Sequence, residues 1–273
     1  MRYVINNGLE LGQIDILNSQ ENVEHFFSTR KGGFSLGVNK GLNLGFNQID
    51  EPSHVQMNRM ALCKALDIQS NQLIVPKQTH SANVEIIYPT TLEEFNSGLN
   101  TFDTTDALVT NIPNIFIAVL TADCVPVLLF DPVEKVIAAV HAGWKGTAQG
   151  IVQNTVRMMS SHFNTDPMNI ITAIGPSISS ENYEVGEEVK NQYAEKFEDH
   201  SHLVFARHPL YTDKYFLDLW KANRHQLESI GVRYKNIEIS NVCTYTDAGR
   251  YFSARRDKGK TGRQLSGIML KKK

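Results

Sequence analysis

Between Leu73 and His141 the chain presents one β-branched-rich apolar segment after another: Leu73 to Val75, Val84 to Tyr88, Ala107 to Val109, Ile115 to Leu120, Val125 to Phe130 and Val136 to His141. Runs this short, bounded by polar residues or Pro, read as strands, and no helix-length pattern separates them. Strict strand and helix alternation therefore fails. The order fits an α+β architecture of layered, mixed sheets better than a Rossmann-type sheet. Helices are expected at Pro52 to Leu66, with Asp50 as cap candidate and Cys63 as a small core residue, then at Gly146 to Ser161, Gly186 to Phe197 and Leu217 to Ile230, the last with Asp218 near its start. Ile170 to Ile174 and Ile237 to Ile239 add strands, and Gly-rich Lys31 to Gly45 is the main irregular region. With no linker, low-complexity tract or repeat, residues 1–273 read as one domain.

At 41% hydrophobic and 21% charged residues, a chain of 273 residues is long enough to bury a large core without staples. A net charge of -2 lacks the basic excess that general nucleic-acid affinity requires, and Lys271-Lys272-Lys273 reads as a solvated tail. Cys63, Cys124 and Cys243 are odd in number, widely spaced and without a CxxC pair, which argues against a disulfide framework or zinc knuckle and for a reducing, cytoplasmic setting. The first thirty residues show no leader pattern and no run approaches a membrane span, so neither secretion nor membrane insertion is expected.

Two motifs carry the chemistry: Thr121-Ala122-Asp123-Cys124, and Val140-His141-Ala142-Gly143-Trp144-Lys145-Gly146. Each lies at the polar end of an apolar run, which delivers a thiol and an imidazole to the rim of a buried sheet. His80, in Lys77-Gln78-Thr79-His80-Ser81, sits between two strands and could join them. Two imidazoles and a thiolate suit tetrahedral zinc with one position open, as in a catalytic site, and also accept copper. The plainer readings are an inert buried Cys124 and a satisfied core His141. Asp123 weighs against the first, because a carboxylate in a run otherwise apolar from Ile115 to Phe130 needs a partner or a purpose.

Gly143, Lys145 and Gly146, between a strand and the next helix, could gather backbone N–H groups and a cation around an anion, although the P-loop signature is absent. Trp144 is a core anchor or a platform for a ring. Arg30, Arg59 and Arg255-Arg256 are further phosphate candidates, and Asn43 fits a turn. His25, His54, His162 and His225 show no partner pattern. His200-Ser201-His202 is the sole H-x-H pair, too few for multicopper oxidation.

Phe27-Ser28-Thr29-Arg30-Lys31-Gly32-Gly33-Phe34-Ser35, Leu42-Asn43-Leu44-Gly45, Gln78-Thr79-His80, Thr121 to Pro126, His141 to Gly146, Ile174-Gly175-Pro176-Ser177-Ile178 and Arg255-Arg256-Asp257, in this order, resemble the YfiH family. That resemblance implies a layered α/β/β/α sandwich, shared with the toxin domain of cytotoxic necrotizing factor. It also implies a cytoplasmic zinc-dependent purine nucleoside phosphorylase (adenosine plus phosphate giving adenine and ribose 1-phosphate, with inosine and 5'-methylthioadenosine as related substrates) that has adenosine deaminase activity. The family's metal ligands fall on His80, Cys124 and His141. Arg30, Asn43, Arg59, Gln78, Gly143, Lys145 and Arg255 are the expected substrate and phosphate contacts, with Lys145 where the family often has arginine. The H-x-E and P-C-x-x-C deaminase signature is absent, so Asp123 is the expected proton shuttle. The rival readings are a Cys124/His141 amide hydrolase editing peptidoglycan precursors by removing a wrongly attached serine from a UDP-muramoyl precursor, a polyphenol oxidase, and a binding module without turnover.

Overall fold

The structure is a computed structural model and describes residues 1–46, 49–99, 102–195, 197 and 201–272. Two six-stranded sheets form its centre. The first has the order β1 (Arg2–Asn6), β2 (Leu9–Gln13), β3 (Val23–Ser28), β15 (Gln264–Leu270), β7 (Phe116–Thr121), β4 (Leu73–Ile74). The second runs β14 (Ile237–Ile239), β10 (Ile171–Ile174), β8 (Val125–Asp131), β9 (Val136–Ala142), β6 (Ala107–Thr110), β5 (Val84–Ile87). Both are mixed: β4 is parallel to β7 and β5 to β6, whereas β8 and β9 pair antiparallel.

Side-chain alternation explains why the central strands look uniformly apolar. On β7, Ile117 and Val119 point between the sheets and Phe116 and Ala118 point outward; on β8, Leu128 and Phe130 point inward and Val127 and Leu129 outward. Each face has its own apolar partner. The inner faces meet in one cluster, which α1 (Asp15–Asn18) joins through Leu17, α2 (Pro52–Ala65) covers the first sheet through Leu62 and Cys63, and α5 (Ile151–Phe163) with α8 (Leu219–Ser229) covers the second through Val152, Val156, Ala222 and Leu227. A strand buried on both faces loses its polar alternation. Each such side chain contributes about 1.5–3 kcal/mol of transfer free energy. The result is the expected α/β/β/α layering. A small third sheet, β11 (Glu184–Gly186), β13 (Lys214–Leu217), β12 (Phe205–Arg207), flanks it.

The expected strands between Leu73 and His141 all form, as do β10 and β14. Asp218 caps α8 by accepting from Lys221 N at 2.9 Å. Three expectations need correction. The helix expected at Gly146 to Ser161 is two helices, α4 (Trp144–Ala148) and α5, because Gly150 turns left-handed at φ 77° and breaks the register. Asp50 does not cap α2: Glu51 is the N-cap residue, while Asp50 Oδ2 accepts from Ser35 Oγ and Asn43 Nδ2, both at 2.6 Å, tying down the Gly-rich loop. An unexpected helix, α3 (Pro89–Asn96), separates β5 from β6. The helix expected at Gly186 to Phe197 is α6 (Glu187–Ala194). His200 of the H-x-H pair lies outside the described residues, and Ser201 and His202 begin α7 (Ser201–Val204). No helix among the described residues is long and apolar enough to cross a membrane.

Candidate active site

Strand polarity brings the chemistry to one rim. The directions of pairing place the ends of β4, β7 and β9 with the starts of β5, β6, β8 and β15. His80 lies on the crossing from β4 to β5, and Cys124 on the crossing from β7 to β8. Both crossings carry the chain from one sheet to the other. His141, next to last in β9, pairs with Pro126 of β8. The donor atoms of His80, Cys124 and His141 lie within 4.8 Å of one another, with His80 exposed, Cys124 partly buried and His141 buried. The two imidazole centroids are 4.8 Å apart.

Two buried carboxylates hold these crossings. Asp106, immediately before β6 and fully buried, accepts from the backbone N–H groups of Thr79 (3.2 Å), His80 (3.0 Å) and Ser81 (2.7 Å), from Ser81 Oγ (2.7 Å), and pairs with His141 Nδ1 at 2.8 Å. His80 has φ 61° and Asp123 φ 86°, conformations that cost on the order of 1–3 kcal/mol in non-glycine residues unless the surroundings impose them. For His80 the imposing group is Asp106. For Asp123 it is its own carboxylate, which accepts from Thr244 Oγ1 (2.7 Å), Ser253 Oγ (3.0 Å) and Arg255 N (2.6 Å).

The electrostatics follow from this wiring. Burial works against the Asp106 carboxylate, but hydrogen bonds from His141 and Ser81 overcome it and hold its pKa well below the usual range. Burial likewise opposes the Cys124 thiolate, yet His141 and His80 bring its pKa down to about 6. Burial opposes a charged His141, and Cys124 with Asp106 reverses the balance, raising it to about 9. Without a metal the pair thus leans toward thiolate and imidazolium.

These residues sit in a cavity of about 1000 Å³ whose walls include Phe46, Arg59, Gln78, Ala254 and Arg263. The Arg59 guanidinium lies 4.7 Å from the centre of the Phe46 ring and donates to Leu44 O at 2.9 Å. Burial lowers the Arg59 pKa to about 10, so the side chain stays cationic at neutral pH. Burial also lowers Arg263, against the pull of Cys124 and Asp123.

Of the residues expected to meet substrate, Arg59 and Gln78 line this cavity. Gln78 is engaged on both sides, donating to Leu120 O at 2.8 Å and accepting from Leu120 N at 2.7 Å, so it extends the β7 edge and anchors the His80 crossing. Gly143 packs behind the donors: a Cβ there would lie 3.0 Å from Cys124 Sγ and 3.3 Å from His80 Cδ2. The remaining expected contacts are turned to other work. Asn43 spends its amide on Gly45, Asp50 and Arg263 N. Arg30 donates to Lys40 O and Ala248 O over the Phe252 ring, and Arg255 donates to Glu184 O over Tyr183. Lys145 is exposed over Trp144, at 5.6 Å from its ring centre. Asp123 is 6% exposed with both oxygens engaged and does not line the cavity, an arrangement unsuited to a proton shuttle. Asp106, Arg263 and Phe46 escaped the sequence reading. For Asp106 the signal existed, a carboxylate at the polar end of an apolar run, the same that singled out Asp123.

The donor set fits a metal ion. Tetrahedral zinc, with Zn–S of about 2.3 Å and Zn–N of about 2.0–2.1 Å, needs its ligand atoms roughly 3.3–3.6 Å apart, a small side-chain adjustment from the observed spread. Asp106 occupies His141 Nδ1 and leaves Nε2 toward the cluster, the usual carboxylate, histidine and metal relay.

Fold and donors together define a class: a layered α+β enzyme with soft metal donors at the rim of its sheets, opening on a cation-walled cavity. Comparison with known proteins agrees. A family model described as multi-copper polyphenol oxidoreductase laccase matches residues 24–271, and the chain belongs to this family. It is 37% identical over 263 residues to a purine nucleoside phosphorylase of Bacteroides thetaiotaomicron, covering 94% of each chain. It is 35% identical over 267 residues to the adenosine deaminase RL5 of an unknown prokaryotic organism, covering 96% of this chain and 100% of that one. The crystal structure of the hypothetical protein YfiH from Bacillus licheniformis superimposes with a TM-score of 0.88 at 33% identity, covering 97% of both chains.

Proposed function

We propose that the protein is a zinc-dependent purine nucleoside phosphorylase, converting adenosine and phosphate to adenine and ribose 1-phosphate and acting also on inosine and 5'-methylthioadenosine, with adenosine deamination at the same site. The observation that carries this is the placement of His80, Cys124 and His141 on the wall of a cavity that two arginines also line. The names of the relatives support both activities. Phosphorolysis needs an anion held against the sugar while positive charge develops at its anomeric carbon. Arg59, Arg263 and Lys77 are the cations lining the cavity, and Lys77 is paired with Asp103 at 3.7 Å, so the two arginines are proposed to take that anion, a task for which Lys145, Arg30 and Arg255 are badly placed. With a metal bound and the ring neutral, the Asp106 carboxylate would hold the remaining proton on His141 Nδ1 and leave Nε2 as the lone-pair donor. A zinc ion held by His80, Cys124 and His141 would supply Lewis acidity, the chemistry that hydrolytic removal of a purine 6-amino group requires. Imidazole and thiolate also accept copper, but among the described residues this is the one group of three or more such side chains able to hold a metal, which argues against multicopper oxidation.

The thiolate and imidazolium tendency of Cys124 and His141 favours a second reading, a cysteine amide hydrolase acting without metal on a peptidoglycan precursor. One experiment separates them. Zinc-loaded protein is incubated with adenosine with and without phosphate, beside a Cys124→Ala control. Phosphate-dependent adenine and phosphate-independent inosine, both lost in the control, are the expected products. If neither forms while Cys124 alkylates rapidly before any chelator is added, the amide-hydrolase reading takes its place.

A further inference from the structure

Asp106 makes contacts of two kinds that sequence distance gives no reason to expect together. Its Oδ2 gathers Thr79 N, Ser81 N and Ser81 Oγ, and its Oδ1 gathers His80 N and His141 Nδ1. Three successive backbone N–H groups converging on one carboxylate fix the crossing on which His80 rides in its left-handed conformation. The same carboxylate fixes the ring of His141 on β9. We propose that Asp106 is the positioning residue of the metal centre, coupling two of its three ligands through one side chain and setting the His141 tautomer.

The chemistry of an amide at this position makes the inference sharp. In Asp106→Asn the amide oxygen belongs on the Oδ2 side, where four donors meet, the fourth being Thr79 Oγ1 at 3.4 Å. The NH2 group then replaces Oδ1 and donates to His141 Nδ1, which must give up its hydrogen. The neutral ring now carries its proton on Nε2, the atom that a metal needs bare. The NH2 also faces His80 N–H, donor against donor, and loosens the crossing. Both ligands are disturbed by the exchange of one oxygen for one nitrogen. Loss of a partner to a single ligand typically weakens metal binding 10–100-fold.

This rests on the metal reading above, and the test separates the two. Zinc affinity is measured by competition with a chromophoric chelator for wild type, Asp106→Asn and Ser81→Ala, with circular dichroism to confirm folding. The His141 ring is read by long-range 1H–15N correlation with and without zinc. Asp106→Asn is expected to bind zinc about 100-fold more weakly and to lose the proton on His141 Nδ1. Ser81→Ala, which removes one donor and leaves the histidine contact, is expected to weaken zinc about threefold and keep that proton. A folded Asp106→Asn with wild-type affinity, or with His141 Nδ1 still protonated, overturns the proposal. If Asp106→Asn does not fold, unchanged zinc affinity in Ser81→Ala overturns it. If wild type takes up no zinc, the metal reading fails and the tautomer alone decides the role of Asp106.

Discussion

Adding one methyl group at Gly143 tests how closely the donors are packed. The backbone there is extended, with φ -72° and ψ 170°, so alanine meets no conformational penalty, although as a helix N-cap it is poorer than Gly by about 0.5–1 kcal/mol, a cost that falls on the fold and not on the donors. All the strain comes from space. The new Cβ would sit 3.0 Å from Cys124 Sγ and 3.3 Å from His80 Cδ2, where ordinary contacts are roughly 3.5–4.0 Å. Gly143 follows β9 directly and cannot retreat without moving the strand, so the thiol and imidazole must yield by about half an ångström. Overpacking of this order costs about 1–3 kcal/mol. If the donors absorb it, that energy is withdrawn from metal binding, and at about 1.4 kcal/mol per tenfold the zinc affinity of Gly143→Ala falls roughly 5- to 150-fold. Chelator competition gives the affinity, and thermal melts with and without zinc show whether the strain falls on the site or on the fold. A variant matching wild type within about threefold in affinity, with an unchanged melting temperature, would refute the packing argument.

Three further outcomes are expected. Burial lowers the His25 pKa from 6.5 to about 4, and its Nε2 accepts from Ile14 N at 2.8 Å; stability is therefore complete above pH 6.5 and falls by about 3 kcal/mol on acidification to pH 4, and chemical denaturation across that range should show His25→Gln losing this dependence. Asp123→Asn should retain zinc and deamination, because the amide can donate to Thr244 Oγ1 while its oxygen keeps Ser253 and Arg255 N; loss of turnover with intact zinc would restore Asp123 as a proton shuttle. Arg59→Met should raise the KM for phosphate at least tenfold and leave zinc affinity unchanged, and an unaltered phosphate KM would remove Arg59 from the anion site.

The central strands were legible because burial on both faces makes them continuous apolar runs. β15 was not, since Gln264, Ser266 and Gly267 disguise a strand lying between β3 and β7 in the first sheet. β1 and β2 were hidden by their half-polar pattern and are joined at Asn7-Gly8, both at positive φ, a hairpin signal passed over. At the site, the grouping of His80, Cys124 and His141 could be read from motifs, because each candidate donor announces itself by residue type. Among the supporting groups, Asp106 carried a signal, a carboxylate at the polar end of an apolar run, but nothing in the sequence named its partners. Asp106 stands 26 residues from His80 and 35 from His141, and only the register of β6 against β9 brings them together. Arg30 and Arg255 lie outside the cavity that Arg59 and Arg263 line, for a related reason: a guanidinium in sequence says nothing about which side of the fold it will face.

The two crossings between the sheets have a bearing on the life of the protein as well as its chemistry. An ion held by His80, Cys124 and His141 would grip both passages at the seam and act as a clasp on the two leaves of the sandwich. Binding only the folded chain, it would add about 2.7 kcal/mol of stability at a hundredfold excess over its Kd. Without that ion this increment would be lost, and the unfolded chain on which proteases and aggregation act would be more populated. Cellular abundance of the chain would then track metal supply, with no regulator beyond the seam itself.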